Sequence, residues 1–149
     1  MQHQWICAQS SLRKTGSPDQ LAGMFRTITL GSDPVKFLYT PSTFARTSLL
    51  HLQEVGSLQA VHPHVSQRED LVSFLCFIVL SCEGVLSYEG QTYQLDQGDC
   101  VFIDCRKAYS HSTSDNLWSL QWCHFSAPSL PAVYGYCQEL CANWFAGSG

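Results

Sequence analysis

The sequence predicts an all-β fold, an antiparallel barrel or jelly roll, followed by one C-terminal helix. Three observations carry this expectation. From Ser48 to Phe125 short apolar or alternating runs follow one another, the mark of many short strands. Turn formers separate them, notably Glu89-Gly90 and the Asp96 to Asp99 segment. After Pro131 the apolar period changes from two to that of a helix.

Composition sets the outer limits. The chain has 149 residues, enough for one domain with a real core. Hydrophobic residues make up 45% and charged residues 13%, about half the usual charged share, which argues against intrinsic disorder. The net charge is −4 and only 8 Lys and Arg are spread along the chain, which argues against a self-sufficient nucleic-acid binder, because phosphate contacts need clustered positive charge. No apolar stretch reaches the roughly 18 residues that mark a membrane helix. Met1 to Gln20 holds no apolar core of a secretory signal. The eight cysteines include no Cys-x-x-Cys pair, and Cys76, Cys82, Cys100, Cys105 and Cys123 sit in apolar, strand-like runs. Reduced, buried thiols in a cytoplasmic protein are the expectation. Cys137 and Cys141 lie four apart on the expected helix and share a face.

The elements follow in order. Residues 1–36 are polar and rich in turn formers, and are expected to be a loosely ordered extension. Phe37 to Thr47 carries Pro41 with β-branched and aromatic residues and is expected to be an extended arm rather than a helix. Strand character begins at Ser48. Leu71 to Cys82 is almost wholly apolar and reads as a central strand buried on both faces. A hairpin turns at Glu89-Gly90. At the next turn Gly98 is expected to take positive φ and Asp99 to accept main-chain N–H bonds. Asn116 to Phe125 alternates, with Trp118, Leu120, Trp122 and His124 on one face. The barrel with its arm spans 37–130. Residues 131–149 are expected to begin a helix whose stripe is Val133, Cys137, Leu140, Cys141 and Trp144, and whose abrupt end leaves it truncated.

The ordered set Arg68, Gly84, Gly90, Leu95, Gly98-Asp99, Val101 to Ile103, Tyr109 to His111, Trp122 and His124-Phe125 resembles the N-terminal cupin domain of AraC-type bacterial transcription regulators. The likeness covers roughly residues 37–145. Cys82 stands where the family has the first glycine of a Gly-x-Gly turn, and Tyr109 and His111 exchange the residue types common in the family. The resemblance implies a cupin-like antiparallel jelly-roll barrel that binds a small-molecule effector, expected to be a carbohydrate, and that dimerises through the helix. DNA would be bound only through a C-terminal helix-turn-helix part that is missing from this sequence. No cofactor and no membrane association are expected.

Two chemistries compete for the site. Barrels of this size can hold one small ligand among apolar and aromatic walls with a few placed polar groups. Tyr109 and His111 are two apart and point the same way in an extended segment; Trp122 offers a stacking face and Arg68 a charged fork. By resemblance, Arg68, His111, Leu120 and Trp122 occupy positions that contact effectors in sugar-responsive relatives. The other chemistry is a metal. Gly56, His62, His64 and Glu69 nearly match the opening of the metal-cupin motif, with His111 as a nearby fourth ligand. The motif's register contradicts this. Counted back from Cys82, its carboxylate position falls on Leu75, the ligand positions fall near Arg68 and Asp70, and Tyr109 takes the fourth place. A metal-dependent cupin enzyme, a small isomerase or dioxygenase, is therefore the alternative to a non-enzymatic sensor. No nucleophile elbow, paired-carboxylate pattern or phosphate loop is present.

Overall fold

The computed structural model describes residues 5–7, 35–61, 65–68, 70–113 and 117–146, with side chains for 35–61, 67–68, 70–113 and 117–140. Ten strands and two helices follow in chain order: β1 (Trp5–Cys7), β2 (Val35–Leu38), α1 (Thr43–Ser48), β3 (His51–Gln59), β4 (Val65–Arg68), β5 (Phe74–Ser81), β6 (Gly84–Tyr88), β7 (Gln91–Leu95), β8 (Cys100–Asp104), β9 (Tyr109–Thr113), β10 (Ser119–Ser126) and α2 (Leu130–Ala146).

The strands form two sheets. One has six strands in the order β1-β8-β5-β10-β3-β2, the other four in the order β4-β9-β6-β7. All pairings are antiparallel except β1 on β8. From β3 to β10 the chain crosses between the two sheets at every step except the β6–β7 hairpin, in the manner of a jelly roll. The fold is thus the expected all-β, mainly antiparallel jelly roll with a C-terminal helix.

The turns behave as their residues require. Glu89 and Gly90 both have positive φ (49° and 75°), the type I′ geometry that suits a two-residue hairpin. Gly98 has φ 92°, and the Asp96 N–H donates to Asp99 Oδ2 at 2.8 Å. Cys82, in the place of the expected glycine, also takes positive φ (62°).

The core lies between the sheets. Leu75, Phe77, Val79, Val101, Ile103, Leu58 and Leu120 from the six-stranded sheet meet Leu86, Tyr88, Tyr93, Leu95 and Tyr109 from the four-stranded one, with Trp118 beside them. Trp118 lies over Gly84, where a Cβ would stand 2.4 Å from the ring and 2.5 Å from the Ser112 carbonyl oxygen. A smaller cluster joins α2 to the outer face of the large sheet: Leu130 and Tyr134 pack on Phe74, Phe102 and Phe125.

Several expectations need correction. Residues 43–48 are helical, because Ser42 caps the helix by accepting the Ala45 N–H at 3.2 Å; Pro41 keeps only the residue before it extended. Trp5–Cys7 and Val35–Leu38 belong to the large sheet, so the barrel takes in parts of the supposed extension. The helix buries Leu130 and Tyr134 with Cys137 half-buried, whereas Val133 and Leu140 are exposed; a neighbouring stripe faces the sheet. The central strand is buried throughout its inner face at Leu75, Phe77 and Val79, but on its outer face only Phe74, under α2, is buried. Of the six cysteines with described side chains, all free, Cys105 alone is buried; Cys76, Cys100 and Cys123 are half-buried on the partly covered outer face of the large sheet, and Cys82 is exposed in a turn. No described helix is long and apolar enough to cross a membrane.

Candidate functional site

The inner face of the large sheet is apolar through its middle and polar toward one end. β10 places Leu120, Trp122 and His124 opposite Leu58, Gly56 and Glu54 of β3, so these six share one face. β2 places Lys36 opposite Gly56. The Trp122 ring therefore lies across the bare Gly56 Cα: a Cβ there would stand 2.2 Å from the ring. The Trp122 indole N–H donates to Glu54 Oε1 at 2.9 Å, and Lys36 Nζ lies 3.5 Å from the same oxygen. Both charged side chains are buried, at 2% and 6% exposure.

Beyond this pair, His124 Nδ1 hydrogen-bonds with Ser73 Oγ at 3.1 Å and lies 3.8 Å from the Cys105 sulfur. The four-stranded sheet closes the same end. Arg68 of β4 is directly opposite Tyr109 of β9, and its charge acts on Tyr109, Cys105, His124 and Lys36.

The electrostatics follow from burial and from two cations beside one carboxylate. Burial lowers the Lys36 pKa to about 8; Glu54 opposes the shift and Arg68 adds to it. Burial, then Arg68 and Lys36, lowers His124 to about 4, so its imidazole is neutral at pH 7. Burial raises the Tyr109 hydroxyl above its ordinary range, and raises the Cys105 thiol to about 12. At neutral pH this end of the interior holds two cations, one carboxylate, and neutral donors and acceptors. Such an arrangement suits a ligand rich in hydroxyls or carrying a carboxylate.

The five expected site residues all lie along the interior but in two groups. Arg68, Tyr109 and Trp122 flank the polar end. His111 and Leu120, each 1% exposed, belong to the apolar middle. The His111 ring sits 4.7 Å from that of Phe77 and 5.3 Å from that of Trp118, in the setting of a packed core histidine. His62, His64 and Glu69 lie outside the described residues. Among the described residues no group of three His, Cys, Asp or Glu is placed to hold a metal.

Sequence reasoning missed Lys36, Glu54, Ser73 and Cys105, and used His124 only as a strand marker. One signal was available for Glu54. It is the sole charge in the run Leu49 to Leu58, and alternation puts it on the face of Gly56 and Leu58.

No protein-family model and no curated protein sequence matches this chain. Solved structures do. A cupin superfamily protein from Desulfitobacterium hafniense DCB-2 is similar at 13% identity, with 72% of this chain and 96% of that one covered and a TM-score of 0.43. The Cnp3 cupin domain of Schizosaccharomyces pombe is similar at 10% identity, covering 70% and 72%, with a TM-score of 0.48. An HTH_3 family transcriptional regulator from Vibrio cholerae is similar at 16% identity and a TM-score of 0.41; 53% of this chain matches 43% of that one, less than half its length.

Proposed function

We propose that this chain is the effector-sensing and dimerisation domain of an AraC-type transcription regulator. Its ligand is a polyhydroxylated small molecule, a sugar or sugar acid, bound non-covalently at the polar end of the barrel. One observation carries the reading: a buried Lys36–Glu54 pair tied to Trp122, with Arg68, Tyr109 and His124 around it, inside an otherwise apolar core. Buried ion pairs give little net stability, and clustered perturbed groups mark functional sites. The resemblance of the ordered motif set to the regulator family supplies the biological setting, with DNA bound by a part outside these residues and the protein in the cytoplasm.

A thermal-shift screen against sugars, sugar acids and aromatic acids tests this. A ligand at a hundredfold excess over Kd stabilises by about 2.7 kcal/mol, a shift of roughly 5–10 °C for a chain of this size. Trp122→Ala should weaken binding about ten- to a hundredfold if the indole stacks on the ligand, as aromatic plates in base-stacking sites do. Arg68→Ala should weaken acidic ligands most. A hit whose affinity ignores both substitutions places the site elsewhere. We read the domain as non-enzymatic and without cofactor. One transition metal per chain by elemental analysis, lost on replacing His62 or His111, would instead favour a metal-dependent isomerase or dioxygenase.

A further inference from the structure

The outer face of the large sheet carries a second cluster that the ligand site does not use. Antiparallel pairing of β5 with β10 sets Cys76 directly opposite Cys123. Residues so placed have Cα atoms about 4.5–5.5 Å apart, inside the roughly 4.4–6.8 Å that a disulfide spans without backbone movement. The two sulfurs are close enough to act on each other's ionisation, and the Cys76 main-chain N–H also acts on the Cys123 sulfur. Both are free and half-buried, so neither is sealed in the core. Cys100 of β8 stands on the same face, opposite Ile78, and close enough to act on Cys76.

We propose that Cys76 and Cys123 are a redox-active dithiol that closes into a cross-strand disulfide on reaction with a peroxide. The neighbouring Cys76 thiol and main-chain N–H favour a thiolate on Cys123, lowering its pKa to about 7 against burial; the Cys76 thiol is pushed up in turn by its proximity to Cys123. Thiolate is the reactive form. The Cys123 sulfur attacks one peroxide oxygen, the O–O bond breaks, and hydroxide leaves, giving a sulfenic acid on Cys123. The Cys76 sulfur then attacks that sulfur; the S–O bond breaks, the S–S bond forms, and the departing oxygen takes the Cys76 proton to leave as water. The two thiols together lose two electrons and two protons, and the peroxide becomes two waters. The bond ties β5 to β10, the two central strands of the large sheet, and Cys123 lies between Trp122 and His124 of the ligand wall.

The test uses the full reduced chain, freed of reductant and treated with a single equivalent of hydrogen peroxide. Remaining thiols are blocked with N-ethylmaleimide and the digest is mapped by mass spectrometry. The expected result is one Cys76–Cys123 cross-linked peptide and the loss of two alkylatable thiols per chain, reversed by dithiothreitol. Cys76→Ser should arrest the reaction at a Cys123 sulfenic acid that dimedone captures, and Cys100→Ser should leave the cross-link unchanged. Recovery of both Cys76 and Cys123 fully alkylated after peroxide overturns the proposal. So does a cross-link from either of them to a different cysteine. The mapping of the unsubstituted protein decides the matter even where a variant does not fold.

Discussion

Replacing Glu54 with glutamine removes the counter-charge of a buried lysine while leaving an oxygen for the Trp122 N–H. The gross loss is set by geometry. At 3.5 Å and an effective dielectric constant of 20, the Lys36–Glu54 attraction is about 5 kcal/mol. The observed loss should be smaller, because Lys36 can escape by giving up its proton. Its pKa in the folded protein is already about 8. Deprotonation at pH 7 therefore costs only about 1.4 kcal/mol. Weakening the bond from the indole N–H, now to a neutral amide, adds about 1 kcal/mol. Glu54→Gln should thus destabilise by about 2 kcal/mol at pH 7, below the roughly 3–5 kcal/mol expected for a buried pair broken with no escape.

The sign of the pH dependence is fixed by the same argument. Below pH 8 the native parent protein keeps the Lys36 proton and the native variant does not, so only the variant takes up a proton at this site on unfolding. Its stability then rises with pH relative to the parent. The difference should grow by about 1.4 kcal/mol for each pH unit below 8 and flatten above it. Urea unfolding of both proteins at pH 6, 7 and 9 reads this directly. A difference that stays constant across those three values, or that vanishes at pH 6, would show that Lys36 is not charged and paired in the native interior, and the polar end would lose its main electrostatic argument.

His124 gives a second titration. Its folded pKa of about 4 lies below the ordinary 6.5, so its stabilising effect is complete above pH 6.5 and is lost as pH falls toward 4. About 3 kcal/mol should disappear over that window, and His124→Asn should flatten the corresponding part of a melting-temperature profile; an unchanged profile refutes the assignment. Gly56→Ala drives a Cβ into the Trp122 ring. It should cost about 1–3 kcal/mol in urea unfolding and shift the tryptophan emission, and an unperturbed spectrum would show that the ring does not lie across this strand. The exposed Val133 and Leu140 of α2 are suited to a helix-mediated homodimer; light scattering should give twice the chain mass, falling to the chain mass in Leu140→Glu. A monomeric parent protein excludes that role.

What the sequence disclosed depended on whether a residue's neighbours in space were also its neighbours in the chain. The Glu89-Gly90 hairpin and the Gly98 turn were legible because their conformation is a local matter. The inward face of β10 was legible because alternation alone places Leu120, Trp122 and His124 together. The short α1 is not legible in this way: Pro41 reads as a strand signal, although Ser42 directly after it is a helix cap. The helix stripe was misplaced because a cysteine and aromatics ring α2 on several sides, and only packing chooses Leu130 and Tyr134. The Lys36–Glu54–Trp122 contact joins β2 and β3 to β10, some 68 residues further along the chain, and no periodicity reports it.

Lys36 is carried by β2, four residues long and, among the described residues, at the edge of its sheet and paired with β3 alone. Its flanking residues Phe37 and Leu38 are 69% and 64% exposed, so little buried surface holds this strand down. Segments with few buried contacts open locally at a small fraction of the global unfolding free energy. Peeling back this short strand is therefore expected to open the charged end of the interior at less cost than parting the two sheets. The amide protons of β2 should exchange with solvent long before those of β5 and β10, and a ligand gripping Lys36 would slow them.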